Sequence, residues 1–294
     1  MKRALLQLHL SVFLAGFTGI LGKLITLNEG MLVWYRLLIT VISMYILYRF
    51  QGLLKKLPLK AVMQIGGTGF IVALHWIFFY GSIKYANVSI GVVCLSMMSL
   101  FTAIFDPLIT KRKFDRAELL LSLLTVCGIL LIFHFDTQYR TGIILGIFSA
   151  VFAALFTVLN KKLVMMYDAV NITFYELGIG FLGLTVVMPF YLYAFPVASL
   201  LPSWTDLGYL FILAWFCTIL MYMLMVHALQ KISPFTVNLC FSLEPLYSII
   251  LAFILFREND FLQGGFYAGL ALVLLSVALQ MVRIYRQSRR GVLS

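Results

Sequence analysis

Apolar runs of about 20 residues recur along the whole chain, joined by connections too short to fold on their own. That pattern excludes most of what a chain of this length can build. Wound as a helix, a run of that length matches the roughly 30 Å of hydrocarbon in a bilayer. Hydrophobic residues make up 63% of the sequence and charged residues 11%, whereas about a quarter of a soluble domain is charged. Too few charges remain to cover a water-facing exterior, so lipid is the solvent.

Ten spans are predicted, near 4–23, 31–49, 61–83, 87–109, 117–134, 142–162, 171–193, 206–229, 234–256 and 261–282. They should be helices, because each backbone polar group must be satisfied within its own segment, and no alternating barrel pattern is present. The expected fold is all-α integral membrane. Residues 194–206, with two prolines and a tryptophan, suit an interfacial loop. The opening "MKR" resembles a signal peptide, but its apolar run continues to Gly22, too long for an h-region and without an A-x-A site, so it is expected to stay.

The net charge of +11 gathers between spans, in "KKLPLK" (55–60), "KRKFDR" (111–116) and "RIYRQSRR" (283–290). Such clusters mark topology and anionic headgroups. Nucleic acid is excluded as a partner, since no segment is long enough to make a folded basic surface. Alternate connections carry 17 basic residues on one side and 4 on the other, with Arg36 alone left inside a span. The richer side is expected to be cytoplasmic and to hold both termini, in a bacterial inner membrane. An even number of spans agrees with ten.

The halves repeat. "FTGILGKL" (17–24) matches "FTVLNKKL" (156–163) at an offset of 139, and "WYRLLIT" (34–40) matches "FYELGIG" (174–180) at 140. "GSIKYANVS" (81–89) aligns with "ALQKISPFT" (228–236) at 147, pairing Lys84 with Lys231. Five spans per half is an odd number, so the second unit (138–294) must enter lipid from the side opposite to the first (1–137). This is the inverted repeat of many secondary transporters.

With ten spans in two halves, an arginine early in the second span and "SPFTVNLCFSLEPLYSIILAFILFRE" (233–258), the chain resembles the drug/metabolite transporter superfamily, in particular its EamA-type exporters. The last stretch is similar to the family's ninth span, with a mid-helix proline, here Pro245, and a glutamate thirteen residues later, here Glu258. The first half departs from it: the offset of 147 puts Met98 at the proline and Lys111 at the glutamate, with Asp106-Pro107 between. The resemblance implies a helical carrier with a central cavity, moving small metabolites by alternating access. It leaves the metabolite open.

Several residues stand out inside lipid. Glu244 lies near mid-span, where a carboxylate costs about 2.5–3.5 kcal/mol on insertion scales. It is expected to bind protons or a cationic group in a wet cavity, or to be locked to Asn238 or a tyrosine. Pro245 removes a backbone donor and frees a carbonyl one turn earlier. Arg36 suits a carboxylate or phosphate, or else ties neighbouring helices. Glu176 is its repeat partner on the opposite side, too far away to pair with it. In "LHWIFFYGSIK" (74–84), His75 shares a face with Phe79 and Ser82, and Trp76 shares one with Tyr80, so a pocket or an aromatic belt would use them. Tyr35, Tyr175, Tyr222, Asn238 and His227 complete the candidates.

The rest reads as structure. Cys94, Cys127, Cys217 and Cys240 are buried hydrophobes. Glycines at 16, 19, 22, 66, 67, 69, 265 and 269 offer close-packing faces, and His9 and His134 are structural. No metal or cofactor motif is present. Spans 1–4 and 6–9 should enclose the cavity, with 5 and 10 as scaffold. The partners implied are a small-molecule substrate, the bilayer and protons as a candidate coupling ion. The rival readings are an integral-membrane enzyme on a lipid or isoprenoid substrate, which would need clustered carboxylates or a His/Asp pair, and a channel, which would need a ring of like residues.

Overall fold

The computed structural model describes residues 2–132, 139–197, 199–256 and 264–289. Among them there are helices and no strands. The first half comprises α1 (Lys2–Leu24), α2 (Glu29–Phe50), α3 (Leu59–Tyr85), α4 (Val88–Leu95), α5 (Met98–Thr110) and α6 (Arg116–Ile132). The second comprises α7 (Arg140–Leu163), α8 (Ala169–Ala194), α9 (Trp204–Ala214), a π-helical turn (Trp215–Leu220), α10 (Met221–Leu229), α11 (Pro234–Phe241), α12 (Glu244–Phe256) and α13 (Gly264–Arg289). Among the described residues, 8 helices or helix pairs are long and apolar enough to cross a membrane. The two remaining span positions hold α6 and α13, which pack on each other at the edge of the bundle. Glu258, the connection 257–261, His134 and Arg290 lie outside the described residues.

Local chemistry sets the helix starts in matching places. Asn28 caps α2 by accepting from the Met31 N–H at 2.8 Å. Asp168, 140 positions on, caps α8 by accepting from the Asn171 N–H at 3.0 Å. Asn87 and Ser233, 146 positions apart, do the same for α4 and α11. Each satisfies an orphan donor of the first turn, worth about 1 kcal/mol.

The fourth and ninth spans differ from the expectation of continuous helices. Each breaks into an eight-residue and a thirteen-residue helix. The breaks are tight turns at Ser96–Met97 and Ser242–Leu243, where backbone bonds run to the third residue back. Pro245 therefore falls at the second position of α12, where its missing N–H costs nothing, rather than inside a helix. Proline is not what makes the break, since the first half breaks without one. The two turns touch, with the Ser242 hydroxyl donating to the Ser96 carbonyl at 3.5 Å. The structural offset here is 146, so Met98 is the counterpart of Glu244 and Ser99, not Met98, that of Pro245. The pairing at 147 was one residue out of step.

Helix α3 crosses α8 backbone to backbone. A Cβ on Gly69 would lie 1.9 Å from the Glu176 carbonyl oxygen, and one on Gly180 2.5 Å from that of Gly69. Only glycine allows this approach, which brings the buried faces of α3, α7 and α8 together around the centre.

Candidate substrate cavity

Arg36 is fully buried on α2, yet among the described residues no carboxylate is in ion-pair contact with it. Its charge is met by dipoles instead. Nε donates to Thr218 Oγ1 at 2.7 Å, Nη2 to the Cys217 carbonyl at 2.8 Å and Nη1 to the Tyr80 hydroxyl at 2.8 Å. The guanidinium carbon sits 3.8 Å from the Trp76 ring centroid. Hydrogen bonds to a charged group contribute about 1.5–3 kcal/mol each, and a desolvated cation–π contact about 2. Together they offset a desolvation cost of several kcal/mol. Thr218 and Cys217 reach the guanidinium because both belong to the π-helical turn, a widening often found at functional sites.

Glu244 lies opposite, 3% exposed, at the first position of α12. The helix N-terminus favours a carboxylate there. Among the described residues no side chain hydrogen-bonds to it, Asn238 and the tyrosines included. The charge that acts on it is Arg36, through space. Between the two lies a cavity of about 50 Å³, room for a few waters. His75, Trp76 and Tyr222 line it, as do Asn238, Thr18 and Thr157.

His75 is locked to α7. Its Nδ1 lies 3.0 Å from the Ser149 carbonyl, which can only accept, so that nitrogen carries the proton. The Ser149 hydroxyl donates back to the His75 carbonyl at 3.1 Å. Nε2, unpartnered among the described residues, is left as an acceptor.

Glu176 does not reach Arg36 and is absent from the cavity wall. It is fully buried behind Tyr222, and Asn160 Nδ2 donates to its two oxygens at 3.0 and 3.2 Å. The same amide donates to the Tyr222 hydroxyl at 3.0 Å, so the Tyr222 proton turns to Glu176. Tyr80 also stands behind the cavity rather than in its wall. Its ring fills the gap at Gly22, where a Cβ would meet Tyr80 Cε1 at 2.4 Å. Tyr175 is not brought to this site: its hydroxyl donates to the Lys55 carbonyl at 2.9 Å on the basic face. His227 spends Nδ1 on the Met223 carbonyl of its own helix. Asn238 donates to Thr102 Oγ1 at 2.7 Å and so ties α11 to α5 at the cavity floor.

Thr218, Asn160 and Ser149 are not among the candidates the sequence offers, and Cys217 reads there only as a buried hydrophobe. A threonine or serine in a span ordinarily bonds its own helix one turn back. Asn160 did carry a signal, as an amide inside an apolar run. Among the described residues no three of His, Cys, Asp and Glu converge as a metal site.

The sequence model of the EamA-like transporter family matches twice, over residues 2–134 and 140–282. The pseudopaline exporter CntI of Pseudomonas aeruginosa is 27% identical over 61% of the chain, and the match spans 62% of that exporter's length. An uncharacterized transporter of Archaeoglobus fulgidus is 26% identical over 87% of the chain and 89% of its own. A similar protein of Haemophilus influenzae is 25% identical over 80% and 78%. A solved crystal structure superposes with a TM-score of 0.70 at 13% identity, covering 97% of this chain and 99% of that one, which speaks for the fold alone.

Proposed function

The chain belongs to the EamA-like transporter family, and on that premise we propose that it is a secondary-active carrier exporting a small organic solute with groups of both signs, such as an amino-acid-like metabolite. Ten spans form two inverted units (1–137 and 138–294) in a bacterial inner membrane, with the basic face and both termini cytoplasmic. The supporting observation is that Arg36 and Glu244 face one cavity without touching. Two buried charges of opposite sign, neither in an ion pair among the described residues, fit a solute that pairs with each. Arg36 takes its carboxylate or phosphate, Glu244 its cationic group, and Trp76 and Tyr222 its apolar body.

At about 50 Å³ the cavity has room for a few waters, whereas sites for organic ligands occupy roughly 300–1,000 Å³. Solute entry therefore requires helices to part, which alternating access supplies. The Tyr80–Arg36 layer bars one exit and the Thr102–Asn238 bond the other. Between solutes, Glu244 is free to take a proton, which couples export to the proton gradient.

The test is a thermal-shift screen of the purified chain in detergent with amino acids, nucleobases, polyamines, drugs and pseudopaline. Hits go on to transport in proteoliposomes. Glu244→Gln and Arg36→Lys should each weaken a hit at least tenfold, about 1.4 kcal/mol. Wild-type rate and pH dependence in Glu244→Gln would remove that residue from the mechanism.

A further inference from the structure

On the basic face a cleft of about 470 Å³ opens among Asp106, Arg112, Glu118, Lys161, Lys231 and Arg283. Its carboxylates are already taken. Arg112 Nε donates to Asp106 Oδ2 at 3.0 Å while Nη2 of the same residue holds Glu118. Arg283 holds Asp115, the third acid in the cleft wall. Among the described residues the two lysines have no carboxylate in ion-pair contact. Lys161 Nζ donates to the carbonyls of Leu229 at 2.5 Å and Ile232 at 3.3 Å, and through space it is attracted by Asp106 and, more weakly, repelled by Lys231. Two arginines thus hold three carboxylates, and with Lys161 and Lys231 the cleft keeps a net charge of +1, carried by groups outside those pairs.

Two further features point the same way. Ser233 and Pro234, in the cleft wall, open α11, so the positive end of that helix dipole faces the cleft. Gln280, 4% exposed and also in the wall, donates Nε2–H to Thr236 Oγ1 at 2.9 Å, and among the described residues its Oε1 has no partner. The nitrogen and oxygen of an amide are told apart only by their partners. Turned over, Gln280 accepts from the Thr236 hydroxyl and leaves an NH2 donor unused in the wall.

The cleft lies in line with the central cavity. Thr157 lines the cavity and Lys161 the cleft, one turn apart on one face of α7. Met98, Thr102 and Asp106 step down one face of α5 in the same way, with the Thr102–Asn238 bond between the two spaces.

We propose that this cleft is an anion site, in which Lys161 and Lys231 hold the carboxylate or phosphate of a solute at the basic face before it passes the Thr102–Asn238 layer. Solute entry rests on the carrier reading above; anion binding does not. The shared chemistry is an oxyanion, from a soluble solute or from a lipid headgroup, and the experiment separates the two.

The full chain in neutral detergent is titrated with inorganic phosphate and with succinate against chloride at equal ionic strength, with thermal stability as the readout. Saturable stabilisation by either oxyanion over chloride is expected. Lys161→Gln with Lys231→Gln should raise the half-saturating concentration at least tenfold, and the charge-keeping pair Lys161→Arg with Lys231→Arg should restore it. No preference over chloride, or an unchanged response in the glutamine pair, overturns the site. The same variants in phosphatidylglycerol and phosphatidylcholine nanodiscs form the second arm. Lysine-dependent stabilisation seen only with phosphatidylglycerol, and not with soluble oxyanions, would assign the cleft to lipid and overturn solute entry. A screen hit that still depends on Arg36 and Glu244 while the cleft fails would sink this inference and leave the carrier reading standing.

Discussion

Replacing Thr218 with valine tests how Arg36 is held. The side chain is fully buried and makes two bonds, accepting from Arg36 Nε at 2.7 Å and donating to the Leu213 carbonyl at 2.8 Å. Valine keeps the branched shape, so no cavity is created, but both bonds are lost. A buried charged donor left without its acceptor costs about 1.5–3 kcal/mol, and the neutral bond to Leu213 about 0.5–1.5. A double-mutant cycle separates them. In an Arg36→Met background Thr218→Val loses only the Leu213 bond, so the coupling energy reports the guanidinium contact. Unfolding in mixed micelles, followed by tryptophan fluorescence, should give a coupling of at least about 1 kcal/mol. Additive variants, agreeing within roughly 0.3–0.5 kcal/mol, would refute the claim that the π-helical turn holds the arginine. Thr218→Ser, which keeps the hydroxyl, should retain most of the coupling.

Gly22→Ala should lower stability by about 1–3 kcal/mol, because its Cβ meets the buried Tyr80 ring, whose hydroxyl is tied to Arg36. Melting at the wild-type temperature would show that the ring yields freely. Asp168→Ala removes the α8 cap and should cost about 0.5–2 kcal/mol. Burial works against the Asp168 carboxylate, but the Asn171 amide and backbone and Lys55 outweigh it and hold its pKa below the ordinary value. With the folded pKa depressed, its contribution is present above about pH 4 and lost as pH falls through the folded value. The gap in melting temperature between Asp168→Ala and wild type should therefore close in acid; a constant gap contradicts the assignment. Single cysteines at Lys113 and Ser199 should label from opposite sides of intact cells, and labelling from one side overturns the proposed topology.

The hydropathy of the chain, and the charges that interrupt it, specify much of the architecture. Arg36, Glu176 and Glu244 could be picked out because a charge inside an apolar run has to be met by something, whatever the fold. The Asn28 and Asp168 caps sit where the repeat at 140 puts them. In the ninth span Pro245 lies close to the break, but the break is at Ser242–Leu243 and recurs at Ser96–Met97 without a proline. Two helices that must turn where they touch determine that register, and a proline read within one segment does not. Tyr175 lies beside Glu176 in sequence, yet its hydroxyl turns to the Lys55 carbonyl and away from the cavity.

By itself the sequence determined the solvent, the helical class, the doubled arrangement and the few charges held away from water, because burying unpaired backbone or charge in lipid is costly at any position. Which groups meet those charges was decided only by the tertiary structure. Helix rotation, the glycine crossing of α3 and α8 and the π-helical turn set distances of a few ångström between residues such as Arg36 and Thr218, 182 positions apart. No local pattern encodes such distances. They put Thr218 and Trp76 on Arg36, leave Glu244 facing it across a small cavity, and send Glu176 to Asn160 and Tyr222.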